Sequence, residues 1–368
     1  MINGYHRDRG TYGIRNKLLI LYTVNCSAFI ARSIKERLCI AGLNVDVAGN
    51  ESCYDNQSMV NQLLRLCIHP NVGAVLVVGH GCEFIQAEKI AGFAISRGRA
   101  AKTVFGQQLG THGAIEKGVE MGRDLYRRLS EIQAEECGLA GMVIGLSVSA
   151  WDETVLDCLC SMEEVLTHLM DRGAAVLLAE HYLRGLRPDR MRERAVMPHP
   201  ELLRLQKKVE HCFGRQHKFE GSEEERASLE AYILNHIAGC VKLSQVPKGP
   251  GLWFSDSLPD YGTMRGPLNG GITGELMQYT GNGSVLNLTI TGKGTAVGSA
   301  AAPALIITGN RDTWEKMPGD LDLLVDPKQD MQDRILDLIR RTMSGSLTAS
   351  ERNGQCDALL FQNAQETG

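Results

Sequence analysis

Short apolar runs and segments of helical spacing alternate along the first 180 residues. Lys17–Val24 is a compact apolar run and predicts a buried strand. Ser27–Ala41 carries apolar residues three and four apart and predicts a helix capped by Ser27. The pattern then repeats. Strands are predicted at Leu43–Ala48, Val72–Gly79, Ala101–Phe105, Gly141–Leu146 and Ala174–Ala179. Helices are predicted at Asn56–Cys67, Phe84–Arg97, Gly113–Ser130 and Val155–Arg172. Helices between apolar strands imply parallel pairing with right-handed crossovers. The expectation is an α/β fold whose residues 1–180 form one doubly wound parallel sheet, with a ligand crevice at the carboxyl ends of its strands.

The pattern changes after that. Residues 181–245 are charged and read as a helical segment, carried by PELLRLQKKVEHCF and SEEERASLEAYILNHI. Residues 246–368 are rich in Gly, Thr and Asn and read as a C-terminal α/β domain. Strands are expected there at Leu276–Tyr279, Val285–Thr291 and Ala304–Thr308, a helix at Met331–Met343 and a short strand at Ala358–Phe361.

Composition narrows the function classes. The net charge is −4 with both signs dispersed, and no basic run interleaves with aromatics, so no nucleic-acid partner is expected. No stretch approaches the ~18 apolar residues of a membrane span, and MINGYHRDRG has no apolar signal region, so a cytoplasmic protein is expected. The 11 cysteines are odd in number and show no framework spacing, which favours reduced thiols, some of them ligands.

Three cysteines stand just past three consecutive predicted strands: Cys26 in TVNC, Cys53 in GNESC and Cys82 in GHGC. Wound in one sheet, these turns open onto one crevice. Three thiolates there suit a soft or borderline metal, or an iron–sulfur cluster with one iron open to substrate. The helix that follows each turn would favour the thiolate; the plainer alternative is a small residue filling a tight turn. His80 and His112 lie in strand-end loops, where an imidazole serves acid–base work or ligation, or else bonds to loop backbone. Arg15 is placed to fork a carboxylate or to pair with an acidic neighbour. Asn25, Asn50, Gln107 and Asp152 are the remaining polar candidates to line the crevice, and Lys293 in the TGKGT turn could meet an anion. No P-loop or dinucleotide fingerprint is present.

Several strings taken together resemble the altronate/D-galactarate dehydratase family, which also includes the sulfolactate sulfo-lyase large subunit. They are GYHRDRGTYGIRNKLLIL with TVNCS, HPNVGAVLVVGHGCE, GTHGAIEKG, TGKGTAVGSAAAP, and TGN with KMPGDLD, which holds Asp320 and Asp322. The resemblance implies a lyase that dehydrates a small sugar acid or hydroxy acid to a 2-keto-3-deoxy acid, with Fe2+, an iron–sulfur cluster or another divalent metal as cofactor. Two strings depart from it. LSVSAWDET (146–154) replaces the family's Lys-Cys-Gly-Gly-Ser-Asp turn, with Asp152 in the Ser-Asp place, and FEGSEEERASLEAY stands where a Gly-Gly-Leu-Thr-Thr segment is expected. An altered member that only binds or assembles, or a carbon–sulfur lyase, are the alternatives. A homo-oligomer, or an assembly with a separate small subunit, is expected.

Overall fold

The computed structural model describes residues 2–51, 53, 57–150, 152–187, 199–213, 222–258, 271–326, 328–355 and 357–359. Among them the α/β expectation holds, but the strands expected in one sheet divide between two.

The first parallel sheet contains β3 (Lys17–Tyr22), β4 (Val45–Gly49), β5 (Val72–Gly79) and β6 (Ala100–Phe105), with β15 (Asp357–Leu359) added at its edge, in the order β15-β4-β3-β5-β6. Its helices are α1 (Ala28–Ile40), α2 (Gln57–Cys67), α3 (Ala87–Ser96) and α4 (Gly106–Ser130). Successive strand residues face opposite sides of a sheet. Leu18, Ile20, Leu76 and Val78 share one buried cluster with Ile34, Leu38, Ile115 and Val119 of α1 and α4. Leu19, Leu21, Val75 and Val77 share the other with Leu63 and Ile90 of α2 and α3. All eight residues of β5 are buried, which is why it reads as an unbroken apolar run.

The expected strands near 143 and 175 do not continue this sheet. β8 (Val143–Ser149) and β9 (Ala175–Ala179), joined by α5 (Glu153–Asp171), belong to a second, seven-stranded parallel sheet. Its other strands are β10 (Ile237–Lys242), β11 (Gly251–Asp256), β12 (Ser284–Thr291), β13 (Ala304–Thr308) and β14 (Leu323–Leu324), in the order β10-β11-β9-β8-β12-β13-β14. A chain that alternates strand and helix looks the same whether its next strand joins the old sheet or starts another. A small antiparallel sheet of β1 (Ile2–His6), β2 (Tyr12–Gly13) and β7 (Glu135–Cys137) lies beside them.

The charged segment is helical at α6 (His199–Phe213) and α7 (Glu223–His236), but Ile237–Lys242 is strand; 188–198 and 214–221 lie outside the described residues. Leu276–Tyr279, expected as a strand, lies in α8 (Ile272–Gly281). Residues 275–281 are all buried, so the helix has no polar face to show a period. The chain closes with α9 (Arg311–Lys316), α10 (Gln332–Met343) and α11 (Ala349–Arg352). Asn56 and Phe361, expected at the ends of α2 and β15, are outside the described residues. Ser27 sits at the start of α1, but a 3-10 turn over Asn25–Ser27 already gives it φ −98° and ψ −1°. Its hydroxyl therefore turns to the carbonyls of Val24 and Val78 at 2.9 and 3.0 Å instead of capping the helix.

α2 and α8 both run from the carboxyl edge of their sheet to its amino edge, and their C-terminal ends meet: a Cβ on Gly283 would stand 3.8 Å from Arg65 Nη2. The amino edges of the two sheets are therefore neighbours. Among the described residues no helix is long and apolar enough to cross a membrane.

Candidate functional site

A ligand crevice in an open parallel sheet forms where the chain, having wound in one direction from a strand, returns to its other side. In the five-stranded sheet that point lies between β3 and β5, with β4 on the far side of β3. Cys26, Cys53 and Cys82 follow β3, β4 and β5, and all three are exposed free thiols. The Cys53 thiol hydrogen-bonds with that of Cys26 and lies within electrostatic reach of Cys82 and Glu83. Helix ends were expected to favour the thiolate. Cys53 goes the other way: partial desolvation first, then Cys26 and Cys82, push its thiol above the ordinary value.

The β5 turn is held by a residue the sequence reading did not single out. Glu83 folds back so that Oε1 accepts from His80 N at 3.0 Å and Oε2 accepts from Gly81 N at 2.7 Å and Cys82 N at 3.0 Å. Thr23 Oγ1, from the β3 turn, donates to Oε1 at 2.6 Å. Successive N–H groups around an anion form a nest, and here the anion is the chain's own carboxylate. Burial opposes its charge, but the hydrogen bonds from Thr23, Gly81 and His80 outweigh that and hold the Glu83 carboxyl below its usual range. One side chain thus fixes the turn that presents His80 and Cys82 and ties it to the turn that carries Cys26. A sequence shows only that a Glu follows GHGC, not that it turns back.

His80 is half-buried. Its Nδ1 is buried with no hydrogen-bond partner and faces Gly106, where a Cβ would come within 3.2 Å of it. Gln107 N donates to His80 O at 2.9 Å, and Gly81 (φ +124°) leaves room for the Gln107 carboxamide, whose Oε1 would stand 2.8 Å from a Cβ at 81. Asn25 is exposed beside Cys26, while Asn50 is wholly buried and braces the crevice, its Nδ2 donating to Thr23 O at 3.3 Å. His112 was expected on a loop. It stands exposed on α4, just past Gly110 (φ 68°, ψ 168°), which breaks an otherwise continuous helical run.

The remaining candidates lie elsewhere. Arg15 precedes β3 and sits at the amino edge, 4% exposed. Its Nε and Nη2 bond to Glu351 Oε1 and Oε2 at 2.9 and 2.8 Å, Nη1 to the carbonyls of Ile14 and Thr342, and Nη2 to Ser346 O. Burial opposes the charge of Glu351, but Arg15 and Lys17 outweigh it and hold that carboxyl down at about 2. Arg15 is thus the clamp of an acidic neighbour, and the expectation that it lines the crevice is corrected. Asp152 and Lys293 belong to the carboxyl edge of the seven-stranded sheet. Asp152 caps α5, accepting from Thr154 N at 2.9 Å, Thr154 Oγ1 at 2.6 Å and Asn310 Nδ2 at 2.8 Å. Burial raises its pKa, yet these bonds and the charge of Lys293 carry it below the ordinary value.

That second edge also holds groups the sequence did not flag. β9 pairs with β8 only as far as Gly145 and Leu177. Beyond that the strands splay, and two phenols take the vacated backbone groups. Tyr279 Oη accepts from Ala179 N and donates to Leu146 O, and Tyr182 Oη accepts from Val148 N at 2.7 Å. Both phenols reach Glu275 Oε1, at 2.6 and 2.9 Å, and His181 Nε2 lies 3.6 Å from Oε2. Tyr279 has one proton and two acceptors, so a proton on Glu275 completes the set. Burial is the main cause that lifts this carboxyl to about 8, against the bonds from the tyrosines. His181 and Tyr182 also line a largely apolar cavity of about 250 Å3 with Leu146, Val148, Leu178 and Leu252; none of the sequence candidates reaches it.

The thiols decide whether a metal fits. Three sulfurs on the turns after neighbouring strands of one sheet are a donor set of the kind a soft or borderline cation takes. Among the described residues, however, no three His, Cys, Asp or Glu side chains already stand as a metal cage. The set fits in kind and in topology without being preassembled.

Two family models match the chain. The family model for the second domain of D-galactarate dehydratase/altronate hydrolase matches residues 4–130, and that for the C-terminal part of D-galactarate/altronate dehydratase matches residues 234–366. The (2R)-sulfolactate sulfo-lyase subunit beta of Chromohalobacter salexigens is 23% identical over 387 residues, covering 97% of this chain and 96% of that protein. The altronate dehydratases of Escherichia coli and Bacillus subtilis are 31% and 25% identical over 166 and 160 residues, 40% of this chain and 32% of each of those proteins. Two matched models, in chain order and on either side of the turn that carries Asp152, make this chain a divergent member of the D-galactarate dehydratase/altronate hydrolase family.

Proposed function

We propose that the chain is a metal-dependent lyase that eliminates water from a small sugar acid or hydroxy acid to give a 2-keto-3-deoxy acid. The observation that supports it most directly is the gathering of Cys26, Cys53, Cys82 and His80 at the β3/β5 switch point of a family member. Cys26, Cys53 and Cys82 would hold iron or another divalent metal, which when bound supplies Lewis acidity toward the leaving group. His80 is the base, with His112 as the second candidate. With Nδ1 buried, Nε2 is the nitrogen left to take the proton alpha to the carboxylate. The electron pair of that C–H bond becomes the C2=C3 double bond as the C3 substituent departs, and the enol tautomerises to the 2-keto acid. Glu83 fixes the turn from which His80 works. Gln107 and Asn25 line the approach.

A carbon–sulfur elimination is the second reading. The sulfo-lyase relative is matched along 96% of its length and the altronate dehydratases along 32%. The frame is the same, with sulfite leaving C3 in place of hydroxide. That relative is named a subunit, so a small second subunit, or self-association, is the partner we propose.

Protein purified without oxygen, analysed for metal and assayed for 2-keto acid from galactarate, altronate and (2R)-sulfolactate, tests both readings. Metal bound at one to a few atoms per chain and lost in Cys82→Ser, with turnover of one of these acids, is expected. A metal-free protein that releases no keto acid from any of them leaves an altered member that only binds or assembles.

A further inference from the structure

The seven-stranded sheet has a switch point of its own, between β8 and β12: after β8 the chain lays β9, β10 and β11 on one side and returns to lay β12, β13 and β14 on the other. At the carboxyl ends of these two strands Ser149 and Thr291 are register partners. One step earlier on the same face, Ser147 Oγ and Thr289 Oγ1 satisfy each other at 3.0 Å. Ser149 and Thr291 do not. Both hydroxyl oxygens are buried without a hydrogen-bond partner, and Thr291 is wholly buried. A buried hydroxyl left unpaired lowers stability, so two side by side at a switch point need a reason.

The turns around them are built and tied. Ala150, held at φ 47°, accepts Gly292 N and Lys293 N on its carbonyl at 3.1 and 3.0 Å. The Asp152 carboxylate bonds to Asn310 and packs on Gly292, where a Cβ would overlap it. Lys293, two residues past Thr291, is exposed and lies within the field of Asp152. α8 is joined to the start of β12 by a short turn and runs back along the sheet, so its N-terminus lies at this same edge. Hydroxyl donors, one acceptor carboxylate, one free-standing ammonium and a helix N-terminus match a ligand that carries both hydroxyls and a carboxylate.

We propose that the β8/β12 switch point is a second ligand site, where Ser149 and Thr291 take the hydroxyls and Lys293 the carboxylate of a short hydroxylated acid. This rests on the lyase reading for the class of acid.

Calorimetric titration of galactarate, altronate and (2R)-sulfolactate into the wild type, Thr291→Val, Ser149→Ala and Lys293→Gln tests it, with metal content measured on each preparation. One acid should bind the wild type, and each substitution should weaken it about tenfold, the yield of one hydrogen bond. Metal content should not change. Thr291→Val removes a hydroxyl without a partner and keeps the shape, so its melting temperature should stay level or rise. Wild-type binding that all three variants retain unchanged overturns this site and leaves the lyase reading standing. A wild type that binds none of the three acids overturns both.

Discussion

Glu83 and Glu275 occupy comparable places, each just outside the carboxyl edge of a parallel sheet, and they end in opposite charge states. Glu83 receives three backbone N–H groups and a hydroxyl, and stays ionised. Glu275 receives two phenols in a dry site, with His181 Nε2 3.6 Å away, and its carboxyl is lifted to about 8. Burial pushes both the same way. Its weight differs, since Glu275 is 4% exposed and Glu83 only partly buried, and the donors add to the difference: a nest of N–H groups has nowhere else to send its protons, whereas each tyrosine also meets a backbone carbonyl. Strand-end position therefore does not set protonation, and the two crevices offer different chemistry.

The widest expected effect is on pH dependence. A carboxyl raised in the folded state helps folding in acid, and that help is lost as pH rises from its unfolded value to its folded one. Glu275 should therefore steepen the fall in stability between about pH 4.5 and about 8, by roughly 1 kcal/mol per pH unit. Urea melts of Glu275→Gln across this window should be flatter than the wild type. Parallel curves would mean that Glu275 is ionised in the fold and the contrast is false. Glu83 should behave in the other sense: its contribution is present above the ordinary carboxylate range and is lost as pH falls below it. Glu83→Ala should cost about 1–3 kcal/mol, as its donors lose their partner. Hydrogen exchange should show the amides of His80, Gly81 and Cys82 losing protection, and unchanged protection would remove the nest. The smallest effect is expected at Gly292→Ala, where the new methyl must push the Asp152 cap aside. About 1–2 kcal/mol in thermal or urea unfolding is expected, and a neutral result would show that the cap moves freely.

Much of this layout was legible in the amino-acid sequence, and the rest fails for identifiable reasons. Val72–Gly79 and Ala304–Thr308 are strands to the residue, because strands buried on both faces are continuous apolar runs bounded by turns. That Cys26, Cys53 and Cys82 follow neighbouring strands of one sheet was legible from strand order alone. The division into two sheets did not, since pairing partners leave no mark on periodicity. Arg15 misled because a guanidinium aimed at a substrate and one aimed at Glu351, 336 positions away, look identical in sequence. Ser149 and Thr291 were unreadable for a similar reason: an unpaired hydroxyl is a property of register.

β15 lies against β4 although about 300 residues separate them along the chain. A ribosome would thus display β4 as a bare sheet edge for nearly the whole of synthesis, and such an edge recruits strands from other chains. Arg15 and Lys17 wait equally long for Glu351. The N-terminal sheet should therefore depend on chaperone cover during translation, and a nonsense mutation late in the reading frame should produce inclusion bodies rather than a shortened soluble protein.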